Sequence, residues 1–450
     1  MASTYLTRTL GTPTNNKIWT FSAWVKRSRV NYGNYPNIFC ANSLRDCIRF
    51  LNGDNIQVFF NEAGSGNLET SAKFRDVNAW YHIVVAVDTT QATASNRVKI
   101  YVNGEQITSF ATENYPAQNY TNFINSSIEH RIGKDFSYTE YFDGYMSHIH
   151  FIDGTQYQAS DFGETDATTG EWKIKTSPSV TYGNNGFFIL KDGNSVTDQS
   201  PNTNNWTVAG GTLTKTEDCP SNVFCTMNPL QFADPSLQST FANGNTSISG
   251  NVAGWQRTFG TIGAKANGKW YYEWKCTALN AGNNRLGWDS IDLINEGTDN
   301  YYSGLTLDGN GELRGGRRGY SGYDPNSVQM SAISGGNFSF AVNDFLGMAL
   351  DIDNNTISVY KNGTLEINAY SFASASNCSV LKSRGHFISP SVNFYSASGN
   401  VNTGQFNFGN GAFGNTQLTG TTYQDSNGQG VFKYQPPTNY LAWCTKNLNV

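Results

Sequence analysis

One stretch, WYHIVVAVDTTQATASNRVKIYVNG at residues 80–104, sets the narrowest limits on what this chain can fold into. The run His82-Ile83-Val84-Val85-Ala86-Val87 is too short for a buried helix and rich in β-branched residues, so it reads as a core strand. Asp88-Thr89-Thr90 breaks it, a polar loop follows, and Arg97–Val102 alternates polar with apolar. Asn103-Gly104 closes the stretch with the dipeptide that best tolerates the two positive φ angles of a type I′ turn. The same order recurs far downstream. Leu346–Asp353 is an apolar strand ending in acids, Asn354-Asn355-Thr356 turns, Ile357–Tyr360 returns, and Lys361-Asn362-Gly363-Thr364 turns again. Two copies predict two similarly built β domains.

The rest of the composition agrees. The 450 residues suit two or three domains. Charged residues are only 14%, while 45 Gly and 14% aromatics favour turns and strands over helices. A net charge of −5 offers no general attraction to phosphate backbones, so no nucleic-acid partner is expected. There is no apolar run of the roughly 18 residues a membrane span needs, so no membrane partner is expected either. The first residues lack the apolar segment of a signal peptide, so classical secretion is not expected. The seven Cys are odd in number and scattered, with no zinc spacing, and read as free thiols.

Taken in order, residues 1–155 read as a first β domain. Trp19, Phe21 and Ala23 fall on one face of an early strand, with Ser22, Trp24 and Lys26 nearer the other. The strand at 145–151 alternates, with Tyr145, Ser147, Ile149 and Phe151 to one side and Met146, His148 and His150 to the other. Residues 156–235 read as an ordered, β-rich connector, with strands at Phe187–Leu190, Thr207–Val208 and Thr212–Thr214. Residues 236–450 read as a second β domain with a docked C-terminal tail.

Phe21-Ser22-Ala23-Trp24-Val25, Trp80-Tyr81-His82-Ile83-Val84, Tyr101-Val102-Asn103-Gly104 and Gly133 followed by Tyr141-Phe142-Asp143-Gly144-Tyr145 resemble the signature strands of a laminin-G-like, concanavalin A-type jelly roll. In the second domain, Gly268-Lys269-Trp270-Tyr271-Tyr272-Glu273, Leu286-Gly287-Trp288, Gly347-Met348-Ala349-Leu350-Asp351, Val359-Tyr360-Lys361-Asn362-Gly363 and Ile388-Ser389-Pro390-Ser391-Val392 resemble a SPRY domain. The wording of Phe151–Trp172, of Cys219–Leu230 and of Tyr434–Cys444 is similar to virion proteins of marine phages. Together these resemblances imply an all-β chain of two concanavalin A-like antiparallel β-sandwich (jelly-roll) domains. They imply a place on the virion, after synthesis in the host cytoplasm, with other virion proteins and a host-surface glycan or protein as partners. A homo-oligomer is open; no heptads argue for one.

The chemistry-bearing motifs are sparse. Glycoside cleavage needs two carboxyl groups roughly 5–9 Å apart; Asp351 and Asp353 come nearest but sit beside a turn, where acids cap the backbone. His148 and His150 lack a third ligand for a metal. No enzyme is expected. Laminin-G-like domains often hold calcium, for which Asp88, Asn103 and Asp143 could supply oxygens, although Ca²⁺ wants six to eight. Otherwise no cofactor is expected. Two loops stand out as binding surfaces. Arg314, Arg317, Arg318, Tyr320 and Tyr323 lie in a Gly-rich frame, and Arg and Tyr combine area with directed hydrogen bonds. Tyr32 and Tyr35 lie in a Tyr/Asn/Gly loop and could stack on sugar rings. The expected function is non-enzymatic adhesion at a virion surface, as fibre, spike or capsid appendage. Capsid decoration without a receptor is the alternative, and a polysaccharide depolymerase a more remote one.

Overall fold

A computed structural model describes residues 3–31, 35–41, 46–60, 66–121, 123–136, 141–191, 195–232, 237–250, 252–264, 267–280, 284–290, 305–315, 331–371, 387–396 and 401–448. The chain is almost wholly β, with one four-residue helix, Thr445–Leu448, among the described residues. It divides into two compact units, Met1–Lys215 with Cys219–Ser221, and Thr216–Asp218 with Asn222–Val450. Each unit is built on two large antiparallel sheets, and the fold is that of concanavalin A-like β-sandwiches.

The first unit has a six-stranded sheet, in the order Phe187–Ile189, Gly144–Asp153, Ile18–Arg27, Trp80–Asp88, Val98–Val102 and Glu105–Gln106. Its eight-stranded partner runs Phe110–Asn114, Asn67–Thr70, Ile56–Phe59, Asp46–Phe50, Asn37–Ala41, Glu129–Ile132, Tyr5–Thr9 and Thr207–Gly210. The stretch read as a connector thus supplies an edge strand to each sheet. Phe187–Ile189 pairs with Ile149–Phe151, and Thr207–Gly210 pairs with Tyr5–Thr7. Residues 212–214 form no strand.

The uninterrupted apolar run has a physical reason: its strand is covered on both faces. Ile83, Val85 and Val87 enter the core between the sheets. Val84 and Ala86 pack outward beneath Tyr157, Ala159, Phe162, Trp172, Val180 and Tyr182, a roof from the chain that follows the last long strand. The second hairpin repeats the device. Leu346, Met348 and Leu350 enter the second unit's core. Ala349 and its neighbour Tyr271 lie outward beneath Phe432, Tyr440 and Ala442, so the C-terminal tail forms the roof. Leu441–Ala442 even pairs in parallel with Trp270–Tyr271. Both Asn-Gly turns adopt the expected left-handed pair, φ 49° and 88° at Asn103-Gly104 and 49° and 84° at Asn362-Gly363.

The strict alternation expected at 145–151 is broken. Met146 pairs with Val25 and Ser147 with Trp24, then the register slips before His150 pairs with Ser22. His148 sits in this bulge at φ 48°. One inserted residue flips the pleat, so Met146 packs against the core while Ser147 shares the outer face with His150.

Candidate functional site

The candidate site of the first unit lies on the outer side of the eight-stranded sheet, at the rim where Tyr35 is exposed. The sheet's core face carries Phe39, Ile48, Phe50, Ile56, Val58 and Leu68. The intervening residues point outward, and one row crosses four strands in register: Asn37 opposite Arg49, Arg49 opposite Gln57, Gln57 opposite Glu69. Arg49 Nε donates to Gln57 Oε1 at 2.7 Å, and Gln57 Nε2 donates to Asn67 Oδ1 at 2.9 Å. Beyond it, Thr112 Oγ1 donates to Glu69 Oε2 at 3.3 Å. These bonds fix a planar track of guanidinium and amides. The Arg49 guanidinium lies 4.6 Å from the Tyr35 ring centroid and 5.4 Å from that of Phe59. Such contacts are worth about 0.5–2 kcal/mol each, more when dry, and Arg49 is 93% buried.

Tyr35 is the exposed member at 39%. It therefore presents an aromatic face held by a buried cation, beside amides whose spacing is fixed. Asn37 supplies the remaining feature. Its amide nitrogen donates to the Tyr35 carbonyl at 2.8 Å, but its buried Oδ1 accepts no hydrogen bond. A buried acceptor left unmet costs about 1–3 kcal/mol, and Asn37 is fully buried, so this oxygen is a feature of the packing beneath Tyr35 and not a contact open to a ligand. Of the expected site residues that the structure describes, Tyr35 belongs to this site. Arg49, Gln57, Asn67 and Asn37 were not anticipated; the signal was the polar alternation Asp46–Phe50 and Ile56–Phe59, which places Arg and Gln on one side of adjacent strands.

Tyr32, Arg317, Arg318, Tyr320 and Tyr323 lie outside the described residues. Arg314 is in the strand Glu312–Gly315, in register with Thr306 and Ala332. That sheet's outer row runs Arg257, Asn393, Arg285, Asp308. Arg285 pairs with Asp308 at 3.1 Å and Arg257 with Asp289, so the row's charges cancel.

The calcium candidates do not converge. Asp88 ends its strand and caps the turn, Oδ1 accepting from Thr90 N at 3.0 Å and Thr90 Oγ1 at 2.6 Å, and Oδ2 from Gln91. Asn103 Oδ1 accepts from His82 N at 2.8 Å, six residues along that strand from Asp88, or roughly 20 Å. Asp143 precedes Gly144 two strands over, where Gly144 pairs with Arg27; burial raises its carboxyl above the usual range. Among the described residues no three His, Cys, Asp or Glu are grouped to hold a metal. Asp351 and Asp353 serve the turn: Asp351 accepts from Asn354 and pairs with Lys269 at 2.8 Å, and Asp353 accepts from Gly268 N.

Beneath the first roof, His82 bridges Ser22 Oγ at 2.8 Å and Trp172 Nε1 at 3.0 Å. An indole N–H only donates, so His82 Nδ1 must accept and Nε2 must carry the proton. Ser22 then receives a hydrogen bond from the imidazole, the reverse of an activated nucleophile. Burial drives the His82 pKa down to about 3. The pair is a strut under the roof.

Residues 2–160 match the sequence profile of the concanavalin A-like lectin/glucanases superfamily. No curated protein matches the chain. Among solved structures, the SPRY domain of human HERC1 is 18% identical, covering 39% of this chain and 96% of that one, at a TM-score of 0.28. A heptameric SAP-like pentraxin from Limulus polyphemus is 14% identical, covering 39% and 91%, at 0.27. The carbohydrate binding module CBM66 from Bacillus subtilis is 12% identical, covering 39% and 90%, at 0.25. At these scores the likenesses carry no argument about function.

Proposed function

We propose that the chain is a non-catalytic carbohydrate-binding protein, and that it acts as an adhesin on the surface of a phage particle. The observation that carries the binding reading is Tyr35, an exposed ring braced by the buried Arg49 guanidinium beside the Gln57–Asn67 amides. It lies in the part of the chain that matches a lectin-containing superfamily. A sugar offers such a site an apolar ring face and hydroxyls that both donate and accept. The particle reading rests on the sequence resemblance of Phe151–Trp172 and Tyr434–Cys444 to phage virion proteins.

The test is retention of host-surface polysaccharide by immobilised protein. Tyr35→Ala should weaken retention at least tenfold while the melting temperature stays put, because Tyr35 is exposed. Equal retention by the variant would remove the site. Release of reducing ends from the polysaccharide would make the protein an enzyme. Mass-spectrometric counting in purified particles, with immunogold labelling of projecting structures, tests the location.

A further inference from the structure

A second site sits in the other unit, where the C-terminal roof stops short of covering its sheet. Lys275 and Phe345 face each other across adjacent strands on the outer side of the sheet. With Phe413, Thr416, Gln417, Leu418, Thr419, Thr421, Thr422 and Lys433 they enclose a cavity of about 180 Å³ that opens to solvent. At roughly 30 Å³ per water, that is room for one sugar ring. The floor is aromatic: Phe413 meets Phe345 edge to face with centroids 5.0 Å apart. Lys275 Nζ lies 5.5 Å and Lys433 Nζ 4.9 Å from the centroid of that same Phe345 ring.

Two ammonium groups are thus held at one small cavity, and neither makes an ion pair with a carboxylate among the described residues. The neighbouring acids make their hydrogen bonds elsewhere, although the Lys433 charge reaches Glu273 without an ion pair. Glu273 is buried under the roof and accepts from Lys433 N, Tyr434 N and Asn407 Nδ2. Asp344 accepts from Ala341 N and Asn362 Nδ2. Like charges placed together repel unless an anion lies between them. The four Thr side chains and Gln417 make no hydrogen bond to the described protein, which leaves donors and acceptors at the rim.

We propose that this cavity binds an anionic sugar residue, its carboxylate or sulfate between Lys275 and Lys433 and its ring over Phe345. This site is independent of the Tyr35 surface and does not require it. The contrast with that surface is charge: there the single Arg49 is already engaged by Gln57, whereas here two cations make no ion pair with a described carboxylate.

Isothermal titration of the full chain with sodium glucuronate, glucose 6-sulfate, glucose and sodium sulfate tests it. Glucuronate or glucose 6-sulfate should bind, with the tighter of the two naming the anion, and glucose should not. Lys275→Gln and Lys433→Gln should each weaken binding at least tenfold, and the affinity should fall as salt rises. Tyr35→Ala should leave it unchanged, which separates failure here from failure of the first site. Both lysines are partly exposed, so melting temperatures should hold. Absence of binding by both anionic sugars, or equal binding by the double variant, would overturn the site. Sulfate alone binding as tightly as the sugars would overturn its assignment to a saccharide.

Discussion

The two roofs solve one problem with opposite chemistry. In each unit a hairpin sheet is buried on both sides, and the covering chain must be fixed without a full ladder of strand pairs. The first unit uses a neutral imidazole, His82, which takes the Trp172 indole N–H on one side and holds Ser22 on the other. The second uses a carboxyl, Glu273, which accepts the Lys433 N–H at 2.9 Å, the Tyr434 N–H at 2.8 Å and the Asn407 amide at 3.0 Å. The histidine strut depends on one large side chain reaching down, while the glutamate strut grips backbone. Equivalent architecture therefore predicts different sensitivity to sequence and to proton concentration.

The comparison breaks most visibly at Glu273. Glu273→Ala would leave two buried N–H groups and the Asn407 amide without that acceptor, at about 1–3 kcal/mol each. A loss of about 4 kcal/mol should lower the second unit's transition by on the order of 10 °C, seen by calorimetry, with the first unit's transition unmoved. Trp172→Ala should do the converse by a smaller amount, about 3 kcal/mol, since this indole is only partly buried. A shared drop of both transitions from either variant would show that the roofs are not separate devices.

Protonation sharpens the same contrast. Burial lowers His82 to about 3 and His130 to about 4, and holds His150 well below its ordinary value. An unfolded chain would protonate all three near 6.5. The unfolded first unit then binds more protons, so its stability is full above pH 6.5 and falls as the pH drops toward 4. Burial raises Glu273 from 4.5 to about 7. That contribution is full below pH 4.5 and is lost as the pH rises through 7. Acidification from pH 7 to 5 should lower the first transition and raise the second. In the first unit Asp143, raised by burial, opposes the three histidines as a single group, while Asp54 and Asp351, both held below the usual carboxylate range, act only below about pH 4. Transitions that shift in parallel between pH 7 and 5 would refute it.

These contacts mark where sequence reading ends. The two hairpins were legible because strand period, breaker and Asn-Gly turn all lie within 25 consecutive residues. The double burial was implicit in Ile83–Val87, whose lack of alternation required a cover on both faces. What covers it was not legible: Trp172 reaches His82 across 90 positions, and Glu273 meets Lys433 across 160. In Trp270-Tyr271-Tyr272-Glu273-Trp274 the acid looks like a solvent-facing residue, and only the tail makes it a buried one. The bulge at His148 was equally hidden, because a sequence that alternates cannot announce one extra residue. The Tyr35 surface was half legible. The exposed Tyr35 could be picked out, but not Arg49, which is brought beside it by the pairing of Asn37–Ala41 with Asp46–Phe50.

The smallest expected effect on stability comes from the outer row of the eight-stranded sheet. Arg49→Lys keeps the charge but removes the planar group that stacks on Tyr35 and donates to Gln57. Lysine keeps the charge and most of the aliphatic stem, so the first unit should lose only about 1 kcal/mol, the worth of one hydrogen bond and part of a cation–π contact. Binding should suffer more than folding. An ammonium cannot hold the Tyr35 ring and the Gln57 amide at once, so polysaccharide retention should fall roughly tenfold, about 1.4 kcal/mol. A variant that unfolds like Trp172→Ala would mean that this face is structural, and a variant that binds like the parent would mean that Tyr35 needs no brace. Loss of retention with the fold intact assigns the six-stranded sheet to stability and the eight-stranded sheet to recognition.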